Sequence, residues 1–145
     1  MQARDLPMML AIAVTLGAAA AACASPAQDY ILYCRGCHGA HAEGVAGKVP
    51  PLARTLTLFM RSASGRDYVL RVPGAANSAL SDARLAAVLN WLAVQFSAAE
   101  PPGAAPFSVA EVAAARRHPL VSVLATRRAV VRALAASGAA LAQEY

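Results

Sequence analysis

Aromatic residues make up only 6% of this chain and charged residues 14%. Few aromatic faces are available to stack bases and no recognisable nucleic-acid module is present, so the net charge of +5 does not argue for a nucleic-acid partner. Beyond residue 24 no stretch offers 18 uncharged apolar positions, which leaves no later candidate for a membrane span. Internal repeats, a second Cys-x-x-Cys, a phosphate loop, a Ser/His/Asp set and a paired acid and base are all missing. Catalysis by the chain's own side chains is therefore not indicated. No strand-rich pattern precedes Cys34, and apart from an ambiguous stretch over 65–72 everything after the first segment reads as helix and loop.

What is there begins with a leader. Arg4, an uncharged run over 8–22 and small residues at Ala22 and Ala24 match a secretory signal cleaved after Ala24. Asp5 offsets Arg4, so the basic start is weak. Two alternatives stay open: an uncleaved anchor over 6–24, and lipidation at Cys23, where Ala20-Ala21-Ala22 lacks the usual bulky aliphatic residue. Export suggests a periplasmic or otherwise extracytoplasmic protein of about 120 residues, enough for one domain. Cys34 and Cys37 are then the mature cysteines, and outside the cytoplasm such a pair is oxidised, redox-active or covalently occupied.

Four zones follow. Tyr30, Tyr33, Cys34 and Cys37 share a helical face, predicting a short helix over 27–37. Gly39, Gly44, Gly47, Pro50 and Pro51 make 39–57 a loop. Residues 65–72 fit one or two turns of helix or a short strand, ended by Pro73-Gly74. Ser81 is an N-cap for a helix whose core stripe is Leu85, Val88, Leu89, Leu92 and Phe96. A linker over 100–106 leads to Ser108-Val-Ala-Glu111, a capping-box pattern, and a helix ending near His118-Pro119. The last helix, about 120–136, carries Leu120, Leu124, Val131 and Leu134 on one side and Arg127, Arg128 and Arg132 around the other. From residue 101 onward five arginines face Glu111 and Glu144, so the basic excess sits mostly in the tail. These helices either pack as extra core or dock an acidic partner; the Leu and Val stripes favour packing.

Cys34-Arg35-Gly36-Cys37-His38 is the CxxCH attachment pattern for haem c. Two thiols three residues apart reach the two vinyl groups of one porphyrin edge, and the next residue offers an imidazole to the iron. Gly36 lets the macrocycle approach the backbone. A thioredoxin-like pair would need a βαβ context, and a zinc site would need more than the remaining His41 and His118. A plain disulfide stays open.

The chain resembles the class I c-type cytochromes over about 27–98. The likeness rests on the motif near the mature N-terminus, the glycines after it, Pro50-Pro51-Leu52 as a Pro-x-Leu element, and a closing helix containing Trp91, where an aromatic packs on the first helix. It implies an all-α, cytochrome c-like domain over 25–100 after a 1–24 signal peptide, followed by a 101–145 linker and helical extension. It implies one haem c per chain on Cys34 and Cys37, with His38 as proximal iron ligand and the Pro50 carbonyl accepting a bond from its imidazole.

One departure stands out. Where the family has Met-Pro before the closing helix, this chain has Val72-Pro73, and valine cannot bind iron. An open or weakly ligated distal site ranks first, Met60 is the next candidate sixth ligand, and Asn77 ranks below it. His41 is expected to be solvated or to face a propionate. The resemblance implies an electron carrier rather than an enzyme, passing single electrons between redox partners such as a dehydrogenase, an oxidase or another cytochrome. A small-ligand-binding haem protein and a subunit of a larger redox enzyme are the alternatives.

Overall fold

The computed structural model describes residues 24–96 and 104–138. The leader expectations for 1–23, Cys23 included, and most of the linker over 100–106 lie outside those residues. Ser25 opens α1 (Pro26–Tyr33): its hydroxyl accepts from Gln28 N, and the Gln28 side chain accepts from Ser25 N. This reciprocal cap satisfies two of the orphan donors at a helix start. Cys34 has a non-helical φ/ψ pair and breaks the chain, so α2 (Arg35–His38) is a separate short helix rather than a continuation over 27–37.

Two further helices escaped the sequence pattern. The first, α3 (Leu56–Met60), is only five residues and buries four of them, too short and too apolar to show a period. The second, α5 (Pro73–Ala76), starts on the proline read as a terminator, which here sits in the first turn where its missing N–H costs nothing. Between them, α4 (Ala63–Arg71) resolves the 65–72 ambiguity as helix, capped by Ser62. The lack of a side chain at Gly65 lets α4 abut the Phe59 carbonyl.

α6 (Asp82–Gln95) is capped by Ser81, whose hydroxyl accepts from Arg84 N at 3.3 Å. Leu85, Val88, Leu89 and Leu92 are buried as the stripe predicts, while Phe96 is half-buried. α6 packs against α1 and α7 (Val109–Ala115). On α1 the contact is aromatic, with Tyr30 5.9 Å from Trp91 and 6.1 Å from Phe96, centroid to centroid. Ser108 caps α7 by accepting from Glu111 N, and the Glu111 carboxylate bonds the Arg66 guanidinium as well as interacting with the Ser108 backbone N–H.

α8 (Val123–Ala136) keeps the expected apolar side at Leu134 and Val131, with Leu120 just before it, and departs from expectation at Leu124 and Arg127. Its buried face is Arg127, Val130 and Leu134, whereas Leu124 is exposed. The Arg127 guanidinium lies 5.3 Å from the Phe59 ring centroid, so a residue assigned to the solvent side belongs to the core face. Its long stem covers apolar surface and its planar head sits over an aromatic face, which a pattern that scores arginine as polar cannot show. Every regular element among the described residues is a helix, and the single β feature is an isolated bridge between Val45 and Val49. The all-α expectation is borne out.

Candidate functional site

The break at Cys34 turns the chain so that Cys34, Cys37 and His38 all line one crevice. Cys34 is half-buried and Cys37 exposed, and no disulfide joins them. Burial, reinforced by the nearby Asp29 and Cys37, pushes the Cys34 thiol up to about 11, so it is a neutral S–H at physiological pH. Among the described residues no three His, Cys, Asp or Glu side chains converge as a metal cage.

His38 is half-buried, and its Nδ1 lies 3.1 Å from the Pro50 carbonyl oxygen. A carbonyl only accepts, so Nδ1 carries the proton and donates. Burial lowers the imidazole's pKa, and the Pro50 bond opposes that only in part. The ring is therefore neutral, with its lone pair on Nε2.

The loop that delivers Pro50 is built from its own backbone. Gly44 N donates to the His38 carbonyl at 2.8 Å, and Leu52 and Ala53 both donate to the Ala42 carbonyl. Gly44 has φ +71°, and a Cβ there would strike the Val49 and Pro50 backbone. Tyr30 anchors the start of the loop through its hydroxyl to Gly39 O at 2.5 Å.

The crevice has a volume of about 320 Å³. Residues from 33–38 and 48–52 form one part of its lining and residues from 68–80 another. The buried stripe of α6 contributes Leu85, Val88, Leu89 and Leu92, and α8 contributes Val123. Ser78 is among the lining residues, and its hydroxyl is buried without a hydrogen-bond partner. Two cysteine sulfurs, an imidazole with a free lone pair and an apolar lining fit a flat apolar macrocycle with a metal at its centre. The residues present fit haem.

The other candidates stand apart from this crevice. Met60 is 3% exposed on α3 within the main core, and it is not among the lining residues. Asn77 caps α5, is exposed, and does not line the crevice either. Val72, where the family's methionine is expected, does line it. His41 is exposed, with its backbone N–H bound to Glu43. Sequence reasoning missed Ser78, Val123 and Arg116. The Arg116 guanidinium donates to the carbonyls of Ala76, Ser78 and Leu80 at 3.1, 2.6 and 2.7 Å. Any residue can supply those acceptors, so nothing in the sequence marks them.

A shallower depression of about 660 Å³ lies where α4 meets α7. Its charged groups already pair, Arg66 with Glu111 and Arg71 with Asp67, and it holds no thiol.

Among known proteins, the chain is similar to cytochrome c-552 of Thermus thermophilus. The two are 32% identical over 134 residues, which cover 78% of this chain and 90% of that protein. No family model matches the chain. No solved structure matches it.

Proposed function

The chain belongs to the c-type cytochromes, and from that premise we propose that it is a class I, single-haem electron carrier acting outside the cytoplasm. Cys34 and Cys37 hold the haem by adding their S–H groups across the two vinyl double bonds, which forms two C–S bonds with no net loss of electrons. His38 supplies the proximal nitrogen. When bound, the haem supplies one reversible electron at its iron. The protein's part is to orient His38 through Pro50, keep water from the macrocycle with the α6 stripe, and leave one edge accessible.

The observation that carries this reading is the convergence of Cys34, Cys37 and a Pro50-bonded His38 on one apolar crevice. The natural division is a leader over 1–24, the haem domain over 25–100 and an extension over 101–145. Partners are other redox proteins, of the dehydrogenase, oxidase or cytochrome kind. Membership of a larger redox enzyme is the second reading, favoured by the extension that a minimal carrier does not need. No helix among the described residues is long and apolar enough to cross a membrane.

The test is expression in cells able to attach haem. The mature protein should give a haem stain that survives a denaturing gel and a reversible reduced-minus-oxidised spectrum. Changing Cys34 and Cys37 together to alanine should abolish the covalent stain. Colourless wild-type protein with both sulfurs free or bonded to each other would sink the reading.

A further inference from the structure

We propose that the exposed side of the tail over 117–132 is the docking surface for an acidic redox protein, seated beside the mouth of the crevice. This rests on the haem reading above and names the kind of partner that reading requires.

The segment reaches the crevice through its inner side. Leu120 and Val123 pack into the cluster of Phe59 and Tyr68, together with Val69 and Val72. Of these, Tyr68, Val69, Val72 and Val123 line the crevice itself. Backbone fixes the approach: Leu120 N donates to Arg71 O at 2.8 Å, and Arg71 Nε donates to His118 O at 2.6 Å. Between the two packed neighbours at 120 and 123, Val121 is 99% exposed, and Leu124 is 51% exposed. Two apolar side chains are thus held in water next to the crevice wall.

The charge around them has one sign. Arg128 and Arg132 follow Leu124 at i+4 and i+8, which places all three along one line of α8, and both arginines are exposed. Arg117, before the helix, is exposed too. Over 112–138 the sequence has five arginines and no Asp or Glu. Two of the five turn inward, Arg116 to Asp82 and Arg127 to the Phe59 ring. The acids that the tail's contacts bring near are already engaged, Glu111 by Arg66, Asp82 by Arg116 and Asp67 by Arg71. Among the described residues, Arg117, Arg128 and Arg132 meet no carboxylate.

Unanswered cations beside a small apolar tip complement a partner surface that carries carboxylates around an apolar centre. A lipid surface is the poorer match. An interfacial helix needs a continuous apolar face turned outward, whereas α8 turns Val130 and Leu134 into the protein. The opposite lip is weaker in charge. There Lys48 is the one Lys, Arg, Asp or Glu among the lining residues, and the exposed Glu43 belongs to the same loop.

The experiment uses the haem-loaded full chain, with covalent attachment verified on a denaturing gel first. Absence of the stain would defeat the haem reading itself, whereas every outcome below presupposes the stain. Electron exchange with plastocyanin, a blue-copper protein of negative net charge, is followed by stopped flow at low and high ionic strength. The exchange moves one electron between iron and copper, with no bond made or broken. Wild type should exchange rapidly at low salt and slow steeply as salt rises. Arg128→Glu combined with Arg132→Glu should slow the low-salt exchange about 10-fold or more and flatten the salt dependence. Arg128→Lys combined with Arg132→Lys should keep both, because steering depends on charge. Val121→Ser combined with Leu124→Ser should slow exchange by a factor that salt does not change. Arg54→Glu is the control, exposed beside the end of α6, and should cost less than Arg128→Glu alone. The proposal is overturned if those two single variants slow exchange alike, which would reduce the effect to net charge. It is overturned equally if Lys48→Glu slows exchange and the tail variants do not, which would put docking on the other lip. Tail arginines that govern retention by phosphatidylglycerol vesicles, but not exchange with plastocyanin, would overturn it in favour of a lipid surface.

Discussion

Asp29 is 1% exposed on α1, and both oxygens of its carboxylate meet the Arg84 guanidinium on α6, with Nε 3.1 Å from Oδ2. The two ends of this pair are unequally buried, because the Arg84 side chain keeps 38% of its surface in contact with water. Removing one partner therefore costs more than removing the other. Arg84→Met strands a buried carboxylate and should lower the unfolding free energy by about 3–5 kcal/mol. Asp29→Asn keeps an acceptor in place and leaves a guanidinium that reaches solvent, so about 1–2 kcal/mol is expected. Guanidinium titration of both variants checks this, and equal losses would contradict the asymmetry. Such a pair is invisible in the sequence, because its members are 55 residues apart and neither belongs to a local pattern. Cys34, Cys37 and His38 were legible for the opposite reason, since their chemistry is written in consecutive positions. Pro50 was legible only through the family resemblance.

At the level of elements, composition located the 39–57 loop but could not rank its glycines. Gly44 and Gly47 have nearly the same φ, +71° and +72°, so alanine at either position pays a left-handed backbone cost of about 1–2 kcal/mol. Only at Gly44 would the added Cβ also collide with the Val49 and Pro50 backbone, whereas nothing lies within 4 Å at Gly47. Gly44→Ala should therefore be the more destabilising of the two, and it alone should displace the Pro50 carbonyl from His38. Thermal melts, with the haem absorption spectrum as a reporter of His38, separate the two variants. Equal melting losses with unchanged spectra would mean that the loop relaxes without moving Pro50. Helix α6 was legible in full because its cap and its stripe agree, two independent signals on one element. The shorter α3 and α5 offer fewer than two turns each, less than a period needs. The tail helix shows a subtler failure. Its apolar residues permit more than one face, and the choice between Leu124 and Arg127 is made by the Phe59 ring on another helix.

On the scale of the molecule, the tail joins the rest of the chain by apolar packing, Phe107 and Val112 in the main core and Val130 and Leu134 against Phe59 and Tyr68, and by polar side chains reaching backbone. Asn90 bonds both the N–H and the carbonyl of Phe107, Arg71 reaches His118 O, and Leu120 N reaches Arg71 O. Arg66 bonds the Ala105 and Pro106 carbonyls and closes on Glu111 with two bonds of 2.7 and 2.6 Å. Of these ties only the last involves a carboxylate that titrates in mild acid. The Arg66 hydrogen bond, foremost, holds the Glu111 pKa below its ordinary value, with burial opposing it. The folded chain thus binds that proton less tightly than the unfolded chain, whose glutamate titrates near about 4.3. The pair's contribution is fully present above the unfolded pKa and is lost as pH falls through the lower, folded one. Glu111→Gln removes the charge at every pH. Wild type should therefore melt higher than the variant at pH 7, and the gap should close on acidification below about pH 4. The gap should also narrow in high salt, because the Glu111 side chain is 31% exposed and its attraction to Arg66 is partly screened. If the gap stays constant into acid, the carboxylate is not what fastens α7 to α4, and the apolar packing of Phe107 and Val112 together with the bonds of Asn90, Arg71 and Arg116 holds the tail without it.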